Sequence, residues 1–250
     1  MHIQGGIRMT DKIEQLKTQL ADSQKVVFFG GAGVSTASGI PDFRSSKGLF
    51  MQDSGTHIPA EEMISHTFYK RHPEQFFNYY FEHLVFENAE PNEAHEFIKL
   101  LEDQGKEVSV VTQNIDGLHQ KAGSSRVHEL HGSVLTNYCT KCSMQYSLNE
   151  LQLDEDGIPR CSKDGAIVRP DVVLYEEGLN QEVIQQAITD IQNADMLMIA
   201  GTSLVVYPAA SLIHYFNGDY LVAINKTPIQ VPQGTLVFEE TISNVFSKLQ

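Results

Sequence analysis

Gly31-Ala32-Gly33-Val34-Ser35-Thr36-Ala37-Ser38-Gly39-Ile40-Pro41-Asp42-Phe43-Arg44-Ser45 follows the apolar run Val26-Val27-Phe28-Phe29. The pattern predicts a strand, a tight glycine turn and the start of a helix. Such a turn lets backbone N–H groups approach a pyrophosphate, and a helix N-terminus adds a favourable dipole. Gly-x-Gly alone is also what an ordinary left-handed turn before a helix contains. The third glycine of the common dinucleotide fingerprint is missing, its place taken by Thr36. The continuation is more specific, because it sets an aromatic ring, Phe43, and a guanidinium, Arg44, just beyond the turn.

Outward from this stretch, strands and helices alternate. Apolar residues at Ile13, Leu16 and Leu20 have the spacing of one helical face over Asp11 to Ala21. Helices are also expected over Pro73 to Val85, from Pro91 to about Gln104, over Gln181 to Gln192 and over Thr241 to Leu249. Buried strands are expected at Val108 to Val111, Val172 to Tyr175, Met196 to Ala200, Leu221 to Ile224 and Leu236 to Phe238. Repeated strand–helix units imply an α/β fold with a doubly wound parallel sheet covered on both faces. In such sheets ligands bind outside the carboxyl ends of the strands. Four polar clusters fall there: the glycine turn, Gln113-Asn114-Ile115-Asp116, Gly201-Thr202-Ser203, and Asn225. Together they describe a cleft.

The 250 residues carry 18 basic and 32 acidic side chains, a formal charge of −14. That balance argues against a nucleic-acid binder, whose affinity rests on neutralising phosphates, and it suits a basic substrate such as a lysine-rich protein tail. No apolar stretch is long enough to span a bilayer. Met1 to Thr10 lacks the apolar segment of a secretory signal, so a cytoplasmic location is expected. Three cysteines do not make a disulfide framework. Instead Cys139-Thr140-Lys141-Cys142 forms a Cys-x-x-Cys knuckle, with 18 residues between Cys142 and Cys161. Two such pairs at this spacing read as a structural zinc ribbon. The second pair here is incomplete, since no cysteine follows Cys161; a carboxylate can also ligate zinc, more weakly than a thiolate.

The motifs, in order, resemble those of the sirtuins, NAD-dependent protein lysine deacylases of compact bacterial type, over about Lys25 to Phe238. The resemblance implies a single catalytic domain over 11–250. Its Rossmann-like part would be 25–45, 91–133 and 171–250, with a helical segment at 46–90 and a small zinc-binding module at 134–170. It further implies that Gly31, Ala32, Gly33, Ser35, Phe43, Arg44, Gln113, Asn114, Ile115, Asp116, Gly201, Thr202, Ser203 and Asn225 bind NAD. Asn114 and Asp116 would serve its nicotinamide-ribose end. His131, ahead of Gly132 and the cysteine module, matches the general base. Cys139, Cys142, Cys161 and Asp164 would hold zinc, although the family has a cysteine at the last position. Val172, Val173, Tyr175, Glu176 and Glu177 would bind an acylated-lysine peptide by strand addition. Tyr175-Glu176-Glu177 stands where relatives have Phe-Gly-Glu, which would crowd or recharge the peptide groove.

The implied reaction removes an acetyl or similar acyl group from lysine, consuming NAD and yielding nicotinamide and O-acyl-ADP-ribose. Tyr79-x-x-Glu82 and Tyr80-x-x-His83 lack the arginine with which succinyl-preferring relatives meet an acyl carboxylate, so a neutral acyl group is expected. A protein mono-ADP-ribosyltransferase on the same scaffold and a non-catalytic NAD-binding module are the alternatives.

Overall fold

The computed structural model describes residues 8–43, 45, 48–49 and 58–249. A parallel sheet is built from β1 (Lys25–Gly30), β2 (Glu107–Thr112), β3 (Val127–Glu129), β9 (Met196–Ala200), β10 (Tyr220–Ile224) and β11 (Leu236–Phe238). Their order is β11-β10-β9-β1-β2-β3. From β1 the chain winds first toward β3 and later, beginning at β9, toward β11. The direction reverses between β1 and β9, which opens a crevice at their carboxyl ends.

Both faces of the sheet are buried, so its strands read as continuous apolar runs and not as alternating ones. Val26, Phe28, Met196, Met198, Val222 and Ile224 pack with α1 (Met9–Asp22), α5 (Glu93–Asp103) and α8 (Ile242–Phe246). Val27, Phe29, Leu197 and Ile199 face the other way, against Ala187 and Ile191 of α7 (Gln181–Asn193) and the short 3₁₀ helix Ala209–Tyr215. The α1 stripe is Ile13, Leu16 and Leu20, as the spacing predicts. At the start of α5 the Asn92 side chain accepts from Ala94 N, and His95 Nδ1 accepts from Asn92 N, closing a capping box.

A second layer carries α2 (Ala60–Met63), α3 (His66–Arg71) and α4 (Pro73–His83), whose core is aromatic: Phe68, Tyr69, Phe76, Phe77, Tyr79 and Tyr80. α6 (Leu118–Lys121) follows β2. Beyond β3, an antiparallel sheet in the order β5-β4-β8 joins β4 (Gly132–Cys139), β5 (Gln145–Ser147) and β8 (Val168–Val172). A two-stranded ribbon of β6 (Gln152–Leu153) and β7 (Pro159–Arg160) lies in the connection.

Two expectations are corrected. No α-helix opens at the glycine turn. Residues 32–38 form two single 3₁₀ turns, Ala32–Val34 and Thr36–Ser38, ended by Gly39 at φ +84°. The β-branched and hydroxyl residues there favour turns over helix, and the left-handed Gly39 followed by Pro41 stops propagation. The apolar run Val172 to Tyr175 is not a strand of the parallel sheet either. Only Val172 closes β8, which pairs antiparallel to β4. An apolar run specifies burial but not the sheet that receives it, and the chain returning from the cysteine module is already committed to β4. Val173 to Tyr175 then runs as a tether: Val173 N donates to His131 O and Tyr175 N to Ile64 O.

Candidate active site

Because β1, β2, β9 and β10 are neighbours pointing the same way, the four predicted polar clusters meet at one edge, at residues 31–35, 113–116, 201–203 and 225. The glycine loops touch backbone to backbone across the crevice. Gly31 N donates to Ala200 O (3.2 Å) and Gly33 N to Gly201 O (2.8 Å). A Cβ on Gly33 would sit 2.8 Å from Gly201 Cα, one on Gly31 2.8 Å from Thr202 Cβ, and Gly201 itself holds φ +60°. Glycine is required here for the close approach of two loops and not for a helix start. The cradle so formed fits a dinucleotide phosphate: its glycines carry no side chain, and an added Cβ at Gly31 or Gly33 would already crowd it.

Gln113 ties this cradle together. Its N–H donates to Gly30 O (3.0 Å), and its side-chain Nε2 donates to Thr202 Oγ1 (3.0 Å). Its carbonyl accepts from His131 Nδ1 (2.9 Å). Ser35 joins the glycine turn to the next two residues of the run: its hydroxyl accepts from Asn114 Nδ2 (3.0 Å) and donates to Asp116 Oδ2 (2.6 Å). The other Asp116 oxygen accepts from Leu118 N (2.9 Å), capping α6. Asn114 is buried, and Ile115 packs on the aromatic core. Phe43 packs against the same core, whereas Arg44 lies outside the described residues. Ser203 is exposed beside the cradle, and Asn225 donates to Thr227 O (2.9 Å).

With Nδ1–H directed at a carbonyl, His131 keeps Nε2 as an acceptor. Burial lowers its pKa below the ordinary histidine value, and the Gln113 carbonyl only partly offsets that. The ring is therefore a neutral base at pH 7.

The Sir2 family profile matches residues 31–208. An NAD-dependent protein deacetylase of Clostridium perfringens is 52% identical over 243 residues, covering 96% of this chain and 99% of its own length. One from Clostridium acetobutylicum is 51% identical over 238 residues, covering 95% and 97%. This chain belongs to the Sir2 family. Solved Sir2 structures superpose closely: one described for the mechanism and regulation of Sir2 enzymes has a TM-score of 0.84 at 39% identity, covering 96% of this chain and 97% of that one. A Sir2 protein bound to an acetylated peptide has a TM-score of 0.81 at 31% identity, covering 95% and 96%.

The cysteine cluster of this Sir2 chain fits zinc. One ligand atom from each of Cys139, Cys142, Cys161 and Asp164 lies within 4.8 Å of all the others. Tetrahedral zinc with thiolates at about 2.3 Å sets sulfurs roughly 3.8 Å apart and a sulfur and a carboxylate oxygen roughly 3.6 Å apart. Cys142 and Cys161 Sγ are 3.7 Å apart, and Cys139 Sγ is 3.4 Å from Asp164 Oδ1. Ala166 N donates to that oxygen (3.0 Å), and the Tyr146 hydroxyl donates to Cys161 Sγ (3.2 Å), so two ligands are oriented from outside.

In the segment after β8 the two acidic groups are engaged inside the molecule. Glu176 Oε2 accepts from Thr67 N at the start of α3 (2.8 Å), with the backbone held at φ +75°. Glu177 accepts from Arg169 Nη1 (2.7 Å) and Nη2 (3.0 Å), from His66 Nδ1 (2.7 Å) and from Leu174 N (2.9 Å). Arg169 heads the stretch that resembles the family's substrate-binding strand, but nothing in the sequence marks its pairing with an acid eight residues on. Asn92 is another such residue: its Nδ2 donates to Val34 O and Ser38 Oγ, both 2.9 Å, bracing the glycine turn from α5. Glu129 and His119 lie near the site as their closeness in sequence to His131 and Asp116 suggests, whereas only tertiary structure brings His95 against His119.

Proposed function

We propose that this chain is an NAD-dependent protein lysine deacetylase acting through the crevice between β1 and β9. The observation that carries the reading is the bond from His131 Nδ1 to the Gln113 carbonyl. It leaves a neutral Nε2 beside the loop whose Asn114 and Asp116 are knitted to the glycine turn by Ser35.

In this reading Gly31, Ala32, Gly33, Gly201, Thr202 and Ser203 cradle the pyrophosphate, and Asn225 serves the adenosine ribose. Asn114 and Asp116 orient the nicotinamide ribose and its carboxamide. Phe43 keeps water from the reacting carbon, and Arg44 holds phosphate or developing charge. NAD, when bound, supplies the ADP-ribose that accepts the acyl oxygen and releases nicotinamide. His131 Nε2 would take a proton from a ribose hydroxyl and pass it to the departing lysine amine, with water supplying the oxygen that completes the exchange to free lysine and O-acyl-ADP-ribose.

The acyl-lysine peptide lies against Val172 to Tyr175. Glu176 and Glu177 brace that segment from behind, and the surrounding charge of −14 favours basic peptides. A neutral acyl group suits a site in which Tyr79 and Tyr80 are buried and Glu82 and His83 offer no fork for a carboxylate. Solved Sir2 proteins bound to acetylated and propionylated peptides support that substrate class. Zinc in the cysteine cluster would be structural, fixing the module that carries β4 and β8. No helix among the described residues is long and apolar enough to cross a membrane, and three free thiols suit a reducing cytoplasm.

The test is an acetyl-lysine peptide incubated with and without NAD, with mass spectrometry of the products. Deacetylated peptide, nicotinamide and O-acetyl-ADP-ribose should form in equal amounts, and only with NAD. Nicotinamide release with the peptide intact would overturn the reading in favour of ADP-ribosyl transfer.

A further inference from the structure

Val34 stands where the first 3₁₀ turn of the glycine loop hands over to the second. Its side chain is buried in the core with Val26 and Phe28, and no backbone N–H among the described residues donates to its carbonyl. Such a carbonyl needs a donor from elsewhere. It finds one in a side chain of another element, Asn92 Nδ2 at the start of α5, at 2.9 Å. The same nitrogen donates to Ser38 Oγ, also at 2.9 Å, where the second turn ends.

The Asn92 amide is thus divided between two tasks. Its oxygen accepts from Ala94 N (2.9 Å) and caps α5. Its nitrogen faces a carbonyl, which can only accept, so turning the amide over would lose the bonds to both Val34 O and Ala94 N. Capping is a task that serine performs as well. Supplying two donors to the loop is not, because a hydroxyl has one hydrogen to give.

What the nitrogen holds lies one peptide away from the cofactor site. Ser35, directly after Val34, accepts from Asn114 Nδ2 and donates to Asp116 Oδ2. Asp116 in turn caps α6 through Leu118 N. His119 of α6 packs edge-on against His95 of α5, with ring centroids 4.7 Å apart. The contacts therefore close a ring from the glycine turn through Ser35, Asp116, α6 and α5 back to Asn92. Without the amide nitrogen the two helices still pack, but the glycine turn loses its tether to them on the α5 side.

We propose that Asn92 is a positioning residue for NAD: through Val34 and Ser38 its amide nitrogen holds the glycine turn, and with it the Ser35 hydroxyl, where Asn114 and Asp116 meet it. This deepens the deacetylase reading and rests on that reading's assignment of the glycine turn, Asn114 and Asp116 to NAD.

The test is NAD binding by calorimetry, without acyl peptide, set beside urea denaturation of the same proteins. Asn92→Ser keeps a cap and Asn92→Ala does not, so the serine protein should be the more stable of the two. Both should nevertheless bind NAD equally weakly, roughly ten-fold below wild type, since both lack the nitrogen. Ser38→Ala removes one acceptor without touching α5; it should cost roughly three-fold alone and nothing further on top of Asn92→Ser. In turnover, KM for NAD should rise while kcat and KM for the peptide change by less than about two-fold. A purely structural cap would instead make NAD affinity follow urea stability, with Asn92→Ser binding better than Asn92→Ala, and that result would overturn the proposal. So would wild-type affinity in Asn92→Ser or in Ser38→Ala, or a full loss from Ser38→Ala in the double variant. Ser38→Ala decides the matter even if neither α5 variant folds. A wild type that binds NAD but leaves an acetyl peptide intact would sink the deacetylase reading and not this one.

Discussion

The tautomer of His131 follows from a single contact, and a pH profile can read it. The Gln113 carbonyl cannot donate, so Nδ1 must carry the proton and Nε2 must be free. Burial lowers the pKa below the ordinary histidine value of about 6.5, so the base form persists into mildly acid solution. The acid limb of kcat/KM should have its midpoint below that of a free imidazole, and a midpoint above it would contradict the desolvated geometry. His131→Ala should lose roughly a hundred-fold or more in kcat while NAD affinity changes little. Gly33→Ala has the opposite signature. Its Cβ would meet the Gly201 backbone at 2.8 Å, and backbone cannot swing aside as a side chain can. NAD affinity should fall at least ten-fold, with the melting temperature lowered by several degrees, about 1–3 kcal/mol of overpacking. An alanine variant with wild-type affinity would show that the two loops need not touch.

At the scale of elements, the link between the aromatic helices and the small sheet is the Arg169–Glu177 pair. Burial works against the Glu177 carboxylate, yet bonds from Arg169, His66 and Leu174 N hold it down at about 2. Removing the charge leaves the guanidinium of Arg169, itself almost buried, without its partner. Glu177→Gln should cost about 3 kcal/mol by urea denaturation. Because glutamine leaves one acceptor oxygen where Arg169, His66 and Leu174 N now share two, the segment around Leu174 is held less firmly, and KM for the peptide should rise more than KM for NAD; equal effects on both would separate the clamp from peptide binding. The cysteine module makes the second prediction at this scale. Asp164→Cys should slow zinc loss to a chromophoric chelator, since a fourth thiolate is the softer ligand, and Asp164→Ala should speed it. Identical release rates in all three proteins would place the aspartate outside the coordination shell.

The same scale explains what could be read from residues alone. Helices α1, α5 and α7 and strands β1, β2, β9, β10 and β11 carry their own signals, a 3.6 period or a short apolar run. The clusters at strand ends needed only the rule for parallel sheets. β3 is not legible in the sequence because three residues, Val127 to Glu129, make too short a pattern. The destination of Val172 to Tyr175 depends on β4, which is remote in sequence. Bracing residues such as Asn92 and Arg169 look like ordinary polar residues until the partner element is in place.

For the whole molecule, titratable groups shifted by burial near the site, among them His95, His119 and Glu129, set opposing slopes of stability against pH. Burial lowers His95 to about 4 and His119 to about 3, with Asp116 working against the shift at His95 and His95 adding to it at His119. Below about pH 6.5 the unfolded chain binds protons that the folded chain refuses. Their contribution is therefore complete above pH 6.5 and is lost as the pH falls toward 4. Glu129 acts in the other direction. Raised to about 7, it holds a proton in the folded state that the unfolded chain has released, so its contribution is lost as the pH rises from about 4.5 to 7. Between about pH 4.5 and 6.5 His95 and His119, joined by His131, favour the alkaline side, and the Glu129 carboxyl opposes them by about one proton. Replacing Glu129 with glutamine removes the opposing group and should steepen the fall in stability through this window by about 1.4 kcal/mol per pH unit. The general relief of negative charge on acidification, from −14 at pH 7, is common to both proteins and cancels in the comparison. Denaturant unfolding at physiological salt, repeated at half-unit steps of pH, measures the two slopes. Parallel curves would mean that Glu129 is already ionised in the folded state, and the carboxyl at the end of β3 would then have no part in the pH dependence of stability.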